Sequence, residues 1–237
     1  MRLEKKQKVN SVISDSAGCL SVFGILSIIE ECITELLGSM ELDDISVREK
    51  YNAVWVFVKT RFKRVKSIPW NASYTAECRI TKVRNSAVML DVYIRDESDE
   101  TAVFGRTEIC ALDIATGRIL KVSSLGMDKD DAEDALCDIK YTRFRCDTME
   151  TADEVRVKYS NVDFAMHTNN KEYVRFILDT YSVDDLISRP VQEMEIMYKE
   201  QSYEGDILTV KKGSDNGRDV FEIMCGDRTV IKSEIIR

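Results

Sequence analysis

The feature that most constrains the fold of this chain is one strongly apolar stretch, residues 22–37. Apolar side chains recur in it every three or four residues and form a helical stripe, and Phe23 and Ile28 widen the apolar surface beyond that stripe. A helix of this kind needs other elements to cover most of its sides. At about 16 residues, with three glutamates inside it, the stretch is too short and too charged to cross a bilayer.

The remainder of the chain has mainly the character of β-strands. Runs rich in Val, Ile, Trp and Phe, separated by polar turns, predict strands at 53–62, 73–83, 87–94, 102–111 and 118–122. After an acidic connector, 128–138, the sequence predicts a strand at 153–159, a helix at 170–181, a turn at 213–217, and strands at 192–198, 207–212, 220–225 and 229–235. The same order of strand, loop, buried helix and antiparallel strands therefore occurs twice, which indicates an α+β layer.

A weak internal repeat supports two halves. A shift of 148 positions places Val9 on Val157, Asp15 on Asp163, Ala17 on Ala165 and Ile29 on Ile177. We therefore divide the chain into domains 1–135 and 136–237.

Composition narrows the classes of function. A net charge of −8 argues against general affinity for nucleic acid or for an anionic membrane. Seven dispersed cysteines and a single histidine predict no metal site, and together with the lack of an apolar signal core they indicate a soluble protein of the reducing cytoplasm. Two clusters of Lys and Arg, within 5–8 and 61–66, are either solvated strand edges or a patch for an acidic partner.

The residues most suited to chemistry lie where the strand of the second half leads into its helix. Asp163 and His167 are four residues apart there, and His167 is the only histidine of the chain. A carboxylate and an imidazole can share proton transfer, and the N–H groups of a helix start can stabilise an oxyanion. The alternatives are ordinary: a structural or exposed histidine, a loop aspartate, and Asn169 or Asn170 as the N-cap.

These residues carry a family resemblance. The run Asp163-x-x-x-His167-Thr168-Asn169-Asn170-x-x-Tyr173 resembles the second-domain signature of acyl-acyl-carrier-protein (acyl-ACP) thioesterases, Asp-x-Asn-x-His-Val-Asn-Asn-x-x-Tyr. The run ending at Glu200, Met-Tyr-Lys-Glu, is similar to the Tyr-Arg-Arg-Glu context of the catalytic glutamate in that family. Fainter similarities, from Trp55 to Asn71 and at 112–118, extend the resemblance over nearly the whole chain.

The resemblance implies a tandem double hot-dog fold, each half a curved antiparallel sheet wrapped around one long helix. It also implies hydrolysis of fatty acyl thioesters of acyl carrier protein, with no cofactor and no metal. The implied catalytic residues are Asp163, His167 and Glu200, and the implied substrate-binding or oxyanion supports are Thr168, Asn169 and Asn170. The first half would hold the acyl chain, and the protein would be a monomer or a homodimer without nucleic-acid or membrane partners.

One departure from the family pattern keeps alternatives open. Ala165 stands where the family has an asparagine, so the amide that could position water or the thioester carbonyl is missing. The first half has Asp15, Ala17 and Cys19 at the equivalent junction and no histidine, so we interpret it as non-catalytic. An acyl-CoA thioesterase, a catalytically weakened protein that binds acyl chains or the carrier, a wholly structural role and a cysteine nucleophile paired with His167 all remain alternatives.

Overall fold

The computed structural model describes residues 2–135 and 138–237. The chain divides into two compact units, Met1–Lys140 and Tyr141–Arg237. The boundary predicted after residue 135 adjoins the pair 136–137, which lies outside the described residues and includes Cys137, so that division stays a prediction.

The first unit is an antiparallel sheet of five strands with two helices. Its elements in chain order are β1 (Arg2–Lys8), α1 (Val22–Ser39), α2 (Asp44–Tyr51), β2 (Ala53–Arg64), β3 (Ser73–Val83), β4 (Val88–Arg95) and β5 (Thr101–Asp113). The strands lie side by side in the order β1-β3-β4-β5-β2.

Helix α1 is the centre of this unit, as its apolar sequence predicts. Ser21 caps its first turn by accepting a hydrogen bond from the N–H of Gly24 at 2.8 Å. Ten of its residues are buried, and it packs on β3, β1 and β4. The fit is close: a Cβ added to Gly105 on β5 would lie 2.7 Å from Ile29 Cδ1. Burial of apolar surface on most sides therefore holds the helix against the sheet.

The second unit repeats the arrangement with shorter helices. Its elements are β6 (Glu150–Arg156), α3 (Asn170–Leu178), α4 (Val183–Ser188), β7 (Glu193–Tyr198), β8 (Ile207–Asp215), β9 (Arg218–Cys225) and β10 (Arg228–Ile236). Its strands lie in the order β7-β10-β9-β8-β6. The buried face of α3 consists of Tyr173, Val174, Phe176 and Ile177.

The repeat of 148 positions is confirmed in three dimensions. Strands β1 and β6 begin and end 148 residues apart, and α1 and α3 begin 148 residues apart. Each edge strand pairs with the second strand that follows it in the chain, β1 with β3 and β6 with β8. The same local hydrogen bonds therefore form in both halves despite few identical residues.

Most predicted elements are confirmed within a few residues, but one strand is wrong and one helix is shorter than predicted. Residues 118–122 form no strand: the chain turns at Gly117, Ile119 makes only an isolated bridge to Leu112, and a 3-10 turn starts at Val122. The helix predicted at 170–181 ends at Leu178, where the Thr180 hydroxyl donates a hydrogen bond to the carbonyl of Ile177 at 2.8 Å and so competes with the helical backbone pattern. The main helix of the second half is therefore shorter than that of the first, and each half has an additional short helix.

The two basic clusters differ. Lys5, on the edge strand β1, pairs with Glu31 at 2.8 Å and with Glu35, so the first cluster is a solvated strand edge as one interpretation expected. In the second cluster Arg61 and Arg64 are buried, which neither interpretation anticipated. Among the described residues, no helix is both long and apolar enough to cross a membrane.

Candidate active site

The candidate site is the loop that joins β6 to α3. After a 3-10 turn at Tyr159–Asn161, a bridge between Val162 and Thr168 closes the loop. Met166 has the left-handed φ of 64° that the tight return requires, and its side chain is exposed. The loop thus brings its two ends together immediately before the helix.

Asp163 is held by backbone hydrogen bonds on both sides. Its N–H donates to the carbonyl of His167 at 3.2 Å, and its Oδ1 accepts from the N–H of Ala165 at 2.9 Å. The same Oδ1 lies 3.9 Å from His167 Nδ1, and both side chains are 22% exposed. That separation is too long for a hydrogen bond, but it allows the carboxylate to stabilise a protonated imidazole electrostatically.

The contact of His167 with the Thr168 backbone indicates which ring nitrogen carries the proton in the neutral imidazole. Nδ1 lies 3.3 Å from the backbone carbonyl of Thr168. A carbonyl only accepts, so this contact requires the proton on Nδ1 and leaves the lone pair of the neutral ring on Nε2. The imidazole is therefore oriented with Nε2 as the atom that can take a proton.

The helix start has fewer free donors than the sequence suggested. Asn169 is the N-cap, since its side chain accepts from the N–H of Lys171 at 3.0 Å. The N–H of Thr168 already donates to Ser202 O, and that of Asn169 to Asn161 O, both at 2.8 Å. In the described part of the chain no partner engages the N–H of Asn170, the first helical residue.

Three buried hydroxyls support this loop from behind. Thr168 Oγ1 lies 2.7 Å from Ser202 Oγ, and Tyr173 Oη lies 2.9 Å from the same atom. All three residues are at most 2% exposed, and burial raises the pKa of Tyr173 above its usual range, which keeps it protonated. Sequence reasoning missed Ser202; the only signal was a small polar residue two positions after Glu200.

Ser202→Ala is expected to destabilise the protein by about 1–3 kcal/mol, because buried hydroxyls lose a hydrogen-bond partner. Chemical denaturation measures this free energy of unfolding. Ser214→Ala, at an exposed position of β8, is the matched control and should change it by less than about 0.5 kcal/mol. Equal effects of the two variants would contradict a supporting role for the cluster.

Glu200 lies two residues beyond the end of β7. It is about half exposed, and its Oε2 accepts from Arg228 Nη1 at 2.9 Å, a contact that raises the pKa of Arg228. No hydrogen bond or ion pair joins Glu200 to His167 among residues 138–237. The structure thus brings Asp163, His167 and the helix start together. Glu200 contacts Arg228 instead, and only Ser202, two positions later in the chain, hydrogen-bonds the loop at Thr168.

The first unit has the same loop without its chemistry. Asp15 Oδ1 accepts from the N–H groups of Ala17 and Cys19 at 3.0 and 3.1 Å, and Gly18 has a φ of 71° where the second loop has Met166. Cys19 takes the place of the histidine. The loop is therefore a feature of the fold, and the imidazole is specific to the second unit.

A metal-dependent site has no support in the geometry. Across the described ranges 2–135 and 138–237, no group of three or more His, Cys, Asp or Glu side chains is arranged to hold a metal ion.

Comparison with known proteins places this loop in a family. Residues 145–233 match the family model of the acyl-ACP thioesterase C-terminal domain. The second unit is similar to that domain over nearly its whole length. The match includes Asp163, His167 and Glu200, and the resemblance stated from the sequence is confirmed.

Solved structures extend the likeness to the fold of the whole chain. An acyl-ACP thioesterase from Bacteroides thetaiotaomicron is 16% identical, with a TM-score of 0.91 over 99% of this chain and 97% of that one. The 12:0-ACP thioesterase from Umbellularia californica is 15% identical, with a TM-score of 0.84 over 99% and 96%. No protein in the curated set matches the chain in sequence. The predicted α+β double hot-dog fold is therefore confirmed.

Proposed function

We propose that this protein hydrolyses fatty acyl thioesters of acyl carrier protein to a free fatty acid and the carrier thiol. The observation that carries the proposal is the acyl-ACP thioesterase domain in which the only histidine lies at a helix start, 3.9 Å from the Asp163 carboxylate. A thioester is already an activated acyl group, so a base and an oxyanion site are sufficient help.

We assign proton transfer to His167 together with Glu200. With the His167 Nδ1 proton directed at the Thr168 carbonyl, Nε2 can accept a proton from the attacking water. Asp163 favours the imidazolium that forms. Glu200 keeps its Oε1 outside the contact with Arg228, and an exposed ion pair of this kind is weak enough to open for catalysis.

We assign the oxyanion to the start of α3. As water attacks, negative charge develops on the thioester oxygen, and the free N–H of Asn170 at the positive end of the helix can receive it. Thr168 and Asn169 would act by holding the loop and capping the helix. The tetrahedral intermediate then collapses, the C–S bond breaks, and the thiolate takes the proton that the base removed.

Two alternatives have specific observations behind them. Ala165 offers only its N–H, which Asp163 occupies, so a protein that binds acyl chains with little turnover remains a candidate. An acyl-CoA substrate fits the same chemistry. The carrier protein is our choice because the matched domain is an acyl-ACP thioesterase domain, and Lys199 and Arg228 beside Glu200 could contact an acidic carrier. The same proposal includes a cytoplasmic location, a first half that holds the acyl chain, and a monomeric or homodimeric state.

The test is thiol release from a panel of acyl-ACP and acyl-CoA thioesters of short to long chain. We expect turnover on acyl-ACP, and a loss of roughly 10²-fold or more in Glu200→Gln, which keeps the shape of the side chain but cannot take a proton. Glu204→Gln, at an exposed position four residues further on, is the matched control and should retain full activity. If no thioester is hydrolysed while acyl chains still bind, the proposed function changes from a hydrolase to an acyl-chain-binding protein.

A further inference from the structure

The first unit contains a buried cation that has no counterion. Arg64, the last residue of β2, is 5% exposed. Its Nη2 donates to the carbonyl of Leu20 at 3.1 Å, and this is its one hydrogen bond within the described residues. The other four of the guanidinium's five N–H donors have no acceptor among the described residues.

No acidic side chain neutralises this charge. Among residues 2–135 and 138–237, no carboxylate oxygen lies within 4.0 Å of the Arg64 nitrogens. Asp15 acts on Arg64 only from a greater distance, is exposed, and uses its Oδ1 for the N–H groups of Ala17 and Cys19. Burial lowers the pKa of Arg64 below its usual range. A buried charge without a partner destabilises a fold by several kcal/mol, so its presence requires a reason.

A second positive element adds to the first. Helix α1 begins at Val22, two residues after the carbonyl that Arg64 contacts, so its positive end lies at the same place. No hydrogen bond engages the N–H of Val22 in the described chain. The guanidinium thus contacts the chain two residues before the helix start, with no carboxylate beside the guanidinium, and two positive elements so placed attract an anion.

The remaining Arg64 nitrogens are accessible. They are not among the fully buried, unpaired side-chain atoms of the described residues, so they retain a small contact with solvent. The site is also particular to the first unit. In the repeat, the hydrogen bond from Leu20 N–H to Ile68 O corresponds to the one from Thr168 N–H to Ser202 O. Arg64 lies four residues before Ile68, and the residue four positions before Ser202 is Tyr198, so the second unit has a tyrosine where the first has this arginine.

We propose that Arg64 and the start of α1 form a binding site for a small oxyanion, a carboxylate or a phosphate group, in the first unit. The two N–H edges of the guanidinium suit the paired oxygens of either group. The half-buried thiol of Cys19 belongs to the residue directly before Leu20, whose carbonyl Arg64 contacts. The site goes beyond the proposed hydrolase activity and does not depend on it.

Thermal unfolding with phosphate or acetate, at constant ionic strength set with chloride, tests the site. We expect one of the two anions to raise the Tm of the wild type by roughly 5 °C at about one hundred times its Kd. Arg64→Met should lose this rise, and without anion it should be at least as stable as the wild type. Lys66→Met removes one charge from an exposed position and should retain the rise.

The possible changes in Tm distinguish a specific anion site from a general effect of the salt. A rise with phosphate alone or acetate alone supports the site and identifies its ligand class. Equal rises in Tm for the wild type and Arg64→Met would mean that the anion stabilises the protein by general exclusion from its surface. No rise in Tm with either anion would mean that there is no site. Either result overturns the proposal.

A second measurement needs no variant that removes the charge. Alkylation of Cys19, followed peptide by peptide, should slow several-fold in the presence of the binding anion, whereas Cys225 in the second unit should react at an unchanged rate. Arg64→Lys, which keeps the charge but not the paired donors, should weaken the protection. Protection of both cysteines alike, or of neither, would contradict the proposal even if Arg64→Met failed to fold.

Discussion

His167→Ala is expected to reduce kcat for thioester hydrolysis by roughly 10²- to 10⁴-fold. The chain has no other imidazole, and the hydrogen bond from Nδ1 to Thr168 O leaves the lone pair of the neutral ring on Nε2 for proton transfer. Because the lost interaction belongs to the transition state, KM should change little. Steady-state thiol release on the best acyl-ACP substrate measures both constants.

Two further variants are needed to interpret the expected loss of kcat. Asp163→Asn retains a side-chain oxygen for the N–H of Ala165 but removes the charge that favours the imidazolium, so it should cost less than His167→Ala. Gln192→Ala, exposed in the same unit, should leave kcat unchanged. A loss of less than tenfold in His167→Ala would assign the base to Glu200 alone and leave the histidine a structural role.

Arg106→Met is expected to destabilise the protein by about 3–5 kcal/mol. Arg106 Nε and Nη2 donate to the two carboxylate oxygens of Asp91 at 2.7 Å each, and Asp91 is 0% exposed. Without the guanidinium, the carboxylate stays buried without a positive charge beside it, although the Tyr93 hydroxyl still donates a hydrogen bond to it at 3.1 Å. Denaturant unfolding measures the change in the free energy of unfolding.

The double variant Asp91→Leu/Arg106→Met separates the two causes of that loss. It removes the isolated charge, so much of the stability should return. Lys50→Met, which breaks the exposed pair with Glu41, is the comparison at the surface and should leave the free energy of unfolding nearly unchanged. An Arg106→Met variant no less stable than Lys50→Met would contradict the buried pair as a main contribution to stability.

The sequence alone determined the elements that depend on local pattern. The apolar stripe of α1 fixed a buried helix, because no other arrangement hides so many apolar side chains in one short stretch. Alternation and turn residues fixed most strands. The shift of 148 positions fixed the repeat, and the lone His167 beside Asp163 fixed the candidate site, since few other residues can carry proton transfer near neutral pH.

The sequence did not determine what depends on partners distant in the chain. Strand β1 carries mostly charged residues and exists because β3 supplies its hydrogen bonds. Thr168, Tyr173 and Ser202 form one cluster only after β7 returns the chain to the loop. The pattern around Arg64 looks like a solvated strand, and only the packing of the first unit buries it.

The physical reason is the range of the interactions. Hydrophobic periodicity, capping and turn preference act between residues a few positions apart, so the sequence displays them directly. Burial, charge compensation and donor satisfaction depend on which atoms meet after folding. For that reason His167 could be proposed as a catalytic residue from the sequence, whereas the free N–H of Asn170 and the uncompensated charge of Arg64 were decided by the tertiary structure.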